Sequence, residues 1–317
     1  MKILISDKMA EEAIKVLKDA GHEITYEEYD AEALLKEIPK YDALMVRSRT
    51  KAIKEVVEAG AKGNLKVIGR AGIGVDNIDI ETAGKLGIPV VNSPTGATAS
   101  VAELAIGQML ALVRFIPKAD SSMKKGEWIK KQLKGSELNG KTLGLIGSGY
   151  IAQHVAKIAN CFGMDVFVYS PHCTDEKAQK MGAKRKDLKD LLKESDFVSL
   201  HIPHNKESHY ILNKETIELM KPGAYLINSA RGGVVEEDAL YEVLKSGKLA
   251  GAAVDVFEQE PPAKENKLLT LDNVIVTPHI GANTKEGQIK AGTVCADQIN
   301  KVLSGKEPDH CVNKKFL

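Results

Sequence analysis

Residues 141–170, KTLGLIGSGYIAQHVAKIANCFGMDVFVYS, constrain the fold more tightly than any other stretch. Residues 141–146 are an apolar run of strand length, and Gly147-Ser148-Gly149 forces a tight turn after it. Ile151, Val155, Ile158 and Phe162 then recur at helical spacing, and 165–169 reads as a second strand. Strand, glycine turn, helix, strand is the first half of a dinucleotide-binding unit. Glycine has no Cβ, so backbone and ligand approach closely, and a helix opens with unpaired N–H groups and partial positive charge that suit a pyrophosphate. A bare glycine pattern is also met in ordinary βα turns; the flanking strand and helix are what make this one specific. Gly147 and Gly149 are therefore candidate cofactor contacts.

Two positions depart from the pattern. Ala152 stands at the third glycine, a replacement the fingerprint allows. Ser170 ends the second strand, where a carboxylate would bind the adenosine ribose. Asp165 precedes that strand and Asp175 lies beyond the next turn, so nothing near Ser170 repels a 2′-phosphate, and His172 would assist one. NAD and NADP both remain open as cofactor.

The 317 residues make one large or two modest domains, and 43% apolar content suffices for real cores. A net charge of +1 sets up no field that would draw nucleic acid. No apolar run approaches the roughly 20 residues of a membrane span, and the N-terminus runs straight into a strand with no cleavage pattern. Cys161, Cys173, Cys295 and Cys311 are scattered without a CxxC pair, which fits reduced thiols in a cytoplasmic protein.

Residues 1–94 alternate strand and helix, with strands expected at 2–6, 22–26, 42–46, 66–70 and 89–92 and helices at 10–19, 31–36 and 51–59. That rhythm predicts a parallel sheet with helices on both faces, whose functional loops lie at the carboxyl ends of the strands. One such loop holds Arg47, Ser48, Arg49 and Lys51, which suits an anion, phosphate above all; the alternative is a solvated helix start. The next, containing Gly72, Ile73 and Gly74, bares backbone N–H groups for a carboxylate. A helix apolar nearly all round, about 100–115, is expected to be buried and to cross into a second domain. Residues 117–139 are polar apart from Trp128, which reads equally as an interface anchor or as local packing. Strands resume at 197–202, 224–228, 250–255 and 273–277, with helices at 187–193, 214–220 and 236–244. A helix over 283–303 is expected to return to the first domain. The resulting division is 1–94 plus 288–317 for a substrate-binding domain and 95–287 for a dinucleotide-binding domain. The predicted class is α/β, two Rossmann-like doubly wound parallel-sheet domains with the substrate domain discontinuous.

Three strand ends of the second domain carry reactive side chains: Arg231 in Ser229–Gly233, Glu260 in Asp255–Pro262 and His279 in Pro278–Gly281. An Arg binds a substrate carboxylate and polarises a carbonyl, a His passes a proton to or from the oxygen, and a Glu holds the imidazole and stabilises its cation. Each has a plain alternative (a surface arginine, a turn glutamate, a satisfied histidine), which the coincidence at three strand ends disfavours. His201, His204 and His209 have metal-like spacing, but Pro203 breaks any helix between them and no Cys or carboxylate joins them, so no metal is expected.

At VRSRT, GRAGIGVDNID, NSPTGATASVAELAIG, NGKTLGLIGSGYIA, NSARGGVVEEDAL, GAAVDVFEQEPP and TPHIGANTKEGQ the chain resembles the D-isomer-specific 2-hydroxyacid dehydrogenase family, and within it the branch acting on D-3-phosphoglycerate. The resemblance runs from about Asp42 to the final helix. It implies a catalytic trio of Arg231, Glu260 and His279, with His279 as acid and base. It implies dinucleotide contacts from Ile73, Tyr150, Ile151, Ile202, Ala230, Asp255 and Gly281, with Ser229, Arg231, His279 and Ala282 along the same path and Asp255 at the nicotinamide carboxamide. Arg47 and Ser48 match a phosphate-side loop, and Gly72, Ile73 and Gly74 match the loop near the substrate carboxylate. Trp128 and the 100–115 helix match a homodimer interface. Members often carry Gly-Arg-Ile-Gly at 149–152 and Asp at 170, so the departures fall on the cofactor side. The chain ends at Leu317 without the C-terminal regulatory domain of some members of that branch, and serine feedback through one is not expected.

The resemblance implies a cytoplasmic homodimeric oxidoreductase that oxidises D-3-phosphoglycerate to 3-phosphohydroxypyruvate, the first step of serine biosynthesis, with NAD or NADP. Its partner is a small phosphorylated 2-hydroxy or 2-keto acid, with no nucleic acid and no membrane. The rival readings are a glyoxylate or hydroxypyruvate reductase and a dinucleotide-sensing, corepressor-like binding protein.

Overall fold

A computed structural model describes all residues, Met1–Leu317. The chain forms two compact units, Met1–Thr98 with Ala282–Leu317, and Ala99–Gly281.

The first unit opens with β1 (Lys2–Ile5), α1 (Glu11–Asp19), β2 (Glu23–Tyr26), α2 (Ala31–Glu37), β3 (Ala43–Val46), α3 (Lys54–Ala61), β4 (Val67–Arg70), α4 (Ile80–Lys85) and β5 (Val90–Asn92). The strands pair in parallel in the order β2-β1-β3-β4-β5. Successive strand side chains point to opposite faces, so an unbroken apolar run such as Ala43–Val46 is stable only with both faces covered. Ile3, Ile5, Ala43, Met45 and Val67 pack with Ala13 and Leu17 of α1, while Leu4, Leu44, Val46 and Ile68 pack with Leu34, Val56 and Val57 of α2 and α3. Helix α4 was not apparent from the pattern: six residues, IETAGK, carry no apolar stripe. It is started by Asp79, whose carboxylate accepts from Thr82 N.

The second unit contains α5 (Thr98–Val113), α6 (Ile116–Lys124), β6 (Thr142–Ile146), α7 (Tyr150–Cys161), β7 (Asp165–Tyr169), α8 (Asp175–Lys180), β8 (Lys184–Arg185), α9 (Leu188–Glu194), β9 (Phe197–Leu200), α10 (Lys214–Ile217), β10 (Tyr225–Asn228), α11 (Glu237–Lys245), β11 (Gly251–Val254) and β12 (Val274–Val276). Its seven strands are parallel, in the order β12-β11-β10-β9-β6-β7-β8. The chain winds outward from β6 through β7 to β8, then returns to β9 on the other side of β6. The β6/β9 junction is thus the switch point at which open α/β sheets form a ligand crevice. Helix α5 is buried along Ala102, Ala105, Ile106, Met109 and Leu112 in the core of this unit. It stops short of the expected end because Phe115 takes a left-handed conformation (φ 53°), and Pro117 starts a second helix, α6, within the segment expected to be merely polar.

Helix α12 (Lys285–Leu303) belongs to the first unit, where Cys295, Ala296 and Ile299 pack with Ile3, Val67 and Val91. No single helix is long and apolar enough to cross a membrane. The α/β class with two doubly wound parallel sheets, one in a discontinuous unit, is as the strand–helix rhythm predicted.

Candidate active site

The glycine turn lies at the carboxyl end of β6. Gly147 has φ +115°, and a Cβ there would come within 2.3 Å of the His201 carbonyl oxygen and 3.1 Å of Ile202 Cγ2. Only glycine fits, and its close approach seats the turn against the end of β9. Gly149 is the N-cap of α7 with open space around it and no side chain capping the helix. The first-turn N–H groups of a twelve-residue helix are left to bind an anion. Tyr150 is exposed at this end of the helix, Ile151 is half-buried, and Ala152 is fully buried against the core. Ser170 follows β7 directly and is half-buried. The nearest following carboxylate, Asp175, is paired with Arg185 at 2.8 Å. The open backbone at Gly149, next to an uncapped helix start, fits a dinucleotide pyrophosphate.

Three further strand ends lie along the same edge. His279 Nδ1 is 2.8 Å from Glu260 Oε2. An ionised carboxylate only accepts, so Nδ1 carries the hydrogen and Nε2 is left for proton exchange. Glu260 is itself oriented, because its Oε1 accepts from the Phe257 N–H at 3.2 Å. His279 adopts φ +52°. A β-carbon residue in that region requires support from its surroundings. Here it comes from the backbone, with His279 N donating to Asp255 O at 2.8 Å. Arg231 follows β10, with Nη1 donating to Ala230 O at 2.7 Å. Asn228 holds that loop by accepting from Ala230 N and donating to Arg231 O, each at 3.1 Å. A Cβ on Gly232 would fall 1.8 Å from Phe257 O, so the Arg231 loop and the Glu260 loop abut through a glycine. The structure thus joins Glu260 to His279 directly and sets the Arg231 loop beside them.

Asp255 is fully buried, and its carboxylate accepts from Thr277 Oγ1 at 2.5 Å, Ile280 N at 2.9 Å and Gly281 N at 2.9 Å. The family resemblance implied a cofactor role for it; its observed partners all belong to the loop that carries His279. Ser229 and Ala230 are buried at the end of β10, and Gly281 is buried while Ala282 is exposed.

The first unit gathers Arg47, Ser48 and Arg49 at the end of β3 and Gly72, Ile73 and Gly74 at the end of β4. Adjacent pairing of those strands makes the loops neighbours. Asn77 Nδ2 donates to Arg47 O at 2.8 Å and Thr50 O at 2.6 Å, and Asn92 Nδ2 donates to Ile73 O at 2.6 Å. Gly72 adopts φ +154°, a conformation that side chains rarely take, and the Arg70 guanidinium lies over it. The two arginines of the anion loop differ. Arg49 pairs with buried Asp7 (Nε–Oδ1, 3.2 Å) and donates to Ser6 O at 2.5 Å. Arg47 has no carboxylate partner; its guanidinium makes one long contact, 3.4 Å, to Lys8 O. Asp7, Asn77 and Gln108 were missed in the sequence, although Asp7 stands at a strand end and Gln108 is a polar residue in an apolar helix.

His204 Nε2 and His209 Nδ1 are 3.0 Å apart, but no group of three His, Cys, Asp or Glu is placed to hold a metal ion. His201 stands apart, half-buried with its Nδ1 shut off from solvent, and desolvation lowers its pKa to about 4. All four cysteines are free thiols, and burial pushes the Cys295 thiol up. Trp128 is 77% exposed.

Residues 106–281 match the family model described as D-isomer specific 2-hydroxyacid dehydrogenase, NAD binding domain. The chain is 51% identical over 314 residues to a D-3-phosphoglycerate dehydrogenase of Methanocaldococcus jannaschii, covering 99% of this chain and 59% of that protein. It is 48% identical over 305 residues to a hydroxypyruvate reductase of Thermotoga maritima, covering 95% of this chain and 98% of the relative. Among solved structures, an acyclic imino acid reductase in complex with NADPH and D-Arg superposes with a TM-score of 0.88 at 32% identity, over 98% of this chain and 100% of that one.

Proposed function

The chain belongs to the D-isomer specific 2-hydroxyacid dehydrogenase family, and from that premise we propose that it interconverts a D-2-hydroxy acid and its 2-keto acid, with D-3-phosphoglycerate and 3-phosphohydroxypyruvate as the pair. The single observation that carries the reading is the oriented pair His279–Glu260 at 2.8 Å, on a sheet edge beside the Arg231 loop. Gly147, Gly149 and the first turn of α7 would hold a nicotinamide dinucleotide, which would supply the hydride acceptor or donor. Tyr150, Ile151, Ser170, Ile202, Ser229, Ala230, Asp255, Gly281, Ala282 and Ile73 are proposed as its further contacts. His279 Nε2 takes the hydroxyl proton during oxidation and returns it during reduction, a role that typically contributes roughly 10²–10⁴-fold. Glu260 fixes the imidazole tautomer and stabilises its cation. Arg231 binds the carboxylate and polarises the carbonyl oxygen. The backbone of Gly72, Ile73 and Gly74 would assist at the carboxylate.

A phosphorylated substrate is supported by Arg47, the arginine of the 47–51 loop that lacks a carboxylate partner, with Ser48 beside it; Arg49 holds the loop. The chain spans about three-fifths of the length of the phosphoglycerate dehydrogenase it matches. A second reading, a hydroxypyruvate or glyoxylate reductase, is favoured by the relative matched over 98% of its own length. Solvent-exposed Ile116, Met123 and Trp128 support assembly as a homodimer through α6 and the segment after it. The deciding experiment is a set of initial rates with NADH and NADPH against phosphohydroxypyruvate, hydroxypyruvate and glyoxylate. Specificity at least tenfold higher for the phosphorylated acid is expected, and a preference for hydroxypyruvate would select the second reading. Tight dinucleotide binding without turnover of any 2-keto acid would reject both.

A further inference from the structure

Gln108 is a buried amide, 3% exposed, on the same helix as the core residues Ala105, Met109 and Leu112. Burying an amide there is tolerable only if its hydrogen bonds are made. Ser229 Oγ donates to Gln108 Oε1 at 3.0 Å, Gln108 Nε2 donates to Thr277 Oγ1 at 3.3 Å, and Thr277 Oγ1 donates to Asp255 Oδ1 at 2.5 Å. The direction of this chain is forced. An ionised Asp255 only accepts, so the Thr277 proton is committed to it and Thr277 must accept from the amide N–H. The amide oxygen then faces Ser229, whose hydroxyl must donate.

The chain spans a gap that the sheet leaves. β10 and β12 are not neighbours; β11 lies between them, and ladder hydrogen bonds couple them only through it. Ser229 precedes Arg231 by two residues on the loop after β10, and Thr277 precedes His279 by two on the loop after β12. One side chain from α5 connects both.

We propose that Gln108 is a positioning residue, which by tying Ser229 to Thr277 sets the Arg231 loop and the His279 loop in register for the reaction. The proposal rests on the reading that Arg231 and His279 act on the substrate. Gln108 touches neither, so its removal leaves the reacting groups present but displaced, and displacements of this kind cost rate far more than binding.

The test uses the full chain with Gln108→Met, which keeps the volume and deletes the hydrogen bonds. Expected are a fall in kcat of about tenfold or more with the Kd for NADH, read by fluorescence, within about twofold of wild type. The His279 imidazole resonance in ¹³C-histidine-labelled protein, assigned by its loss in His279→Gln, should also move. A second variant, Gln108→Glu, introduces a carboxyl that donates to Thr277 only when protonated. Its rate relative to wild type should therefore climb as pH falls. A Gln108→Met protein with lowered Tm but wild-type kcat and an unmoved His279 resonance overturns the proposal. So does a Gln108→Glu rate that stays a constant fraction of wild type across pH, which keeps the test decisive if the methionine variant does not fold. The resonance needs no substrate. A shifted His279 signal in a chain that reduces no 2-keto acid would strike down the dehydrogenase reading and leave the positioning by Gln108 intact.

Discussion

Each unit of this molecule holds a candidate site loop with one buried aspartate, and the two aspartates are compensated differently. Asp7, at the end of β1, accepts from the N–H groups of Arg47 (2.5 Å) and Thr50 (3.1 Å), from Thr50 Oγ1 (2.7 Å) and from the Arg49 guanidinium (3.2 Å). Asp255, at the end of β11, accepts from two N–H groups and a hydroxyl, and no cation pairs with it in the same way. A carboxylate held by neutral dipoles depends on every one of them, because removing any donor leaves buried charge uncovered. One paired with a guanidinium loses less when a single dipole goes. The Asp255 loop should therefore be the stiffer and more brittle of the two, which suits the proton-transfer role proposed for the imidazole it carries. The Asp7 loop spends one of its arginines on structure and keeps the other for solvent or ligand.

The largest expected effect tests the brittle side. Asp255→Asn turns an acceptor into a group with two donors of its own, facing three donors. Loss of about 2–4 kcal/mol of stability is expected from urea unfolding, together with nearly all turnover. Asp7→Asn should cost about 1–2 kcal/mol, since the guanidinium can retain Ser6 O and Glu28 as partners. Equal losses in the two variants would erase the contrast.

His201 supplies a buried polar group that is neutral rather than charged. Its Nε2 is 2.9 Å from Ser199 Oγ, and its Nδ1 is buried without a partner. Burial lowers its pKa from 6.5 to about 4. A depressed histidine stabilises the fold fully above its unfolded pKa. The unfolded chain takes up the proton first, so stability falls as pH drops from about 6.5 to about 4, by about 3 kcal/mol over that window. Unfolding curves at pH 7 and pH 4.5 should show this loss in the wild type and a smaller one in His201→Asn, which cannot titrate. An equal loss in both would assign the acid sensitivity to carboxylates instead.

Much of this is legible in the sequence. The glycine turn, the strand ends at Arg231, Glu260 and His279, and the discontinuous two-sheet plan all follow from local pattern, because periodicity and glycine placement are local properties. Asp7, Asn77 and Gln108 were not legible, because their importance comes from partners 43, 30 and 121 residues away. Nothing in VRSRT distinguishes Arg47 from Arg49; the difference is made by Asp7 in the bend after β1. Helix α6 was missed for a local reason, since IPKADSSMK has little apolar signal and owes its start to the left-handed Phe115 and to Pro117.

The last contrast separates those two arginines. If Arg47 meets the substrate phosphate, Arg47→Ala removes a charge-assisted hydrogen bond worth roughly 1.5–3 kcal/mol, which is about 10- to 100-fold in KM for phosphohydroxypyruvate. The same variant should leave KM for glyoxylate, which has no phosphate, within about twofold. Arg49→Ala should show the opposite pattern. Its guanidinium is already occupied by Asp7 and Ser6, so its loss acts through the loop. KM for both acids should rise together by a few-fold, with a small drop in Tm as Asp7 loses its cation. Selective loss of the phosphorylated substrate in Arg49→Ala, with Arg47→Ala unchanged, would mean that the Asp7 pair opens when substrate binds. Asp7 would then be a competitor for Arg49, and the stability of its loop would vary with ligand where that of the Asp255 loop does not.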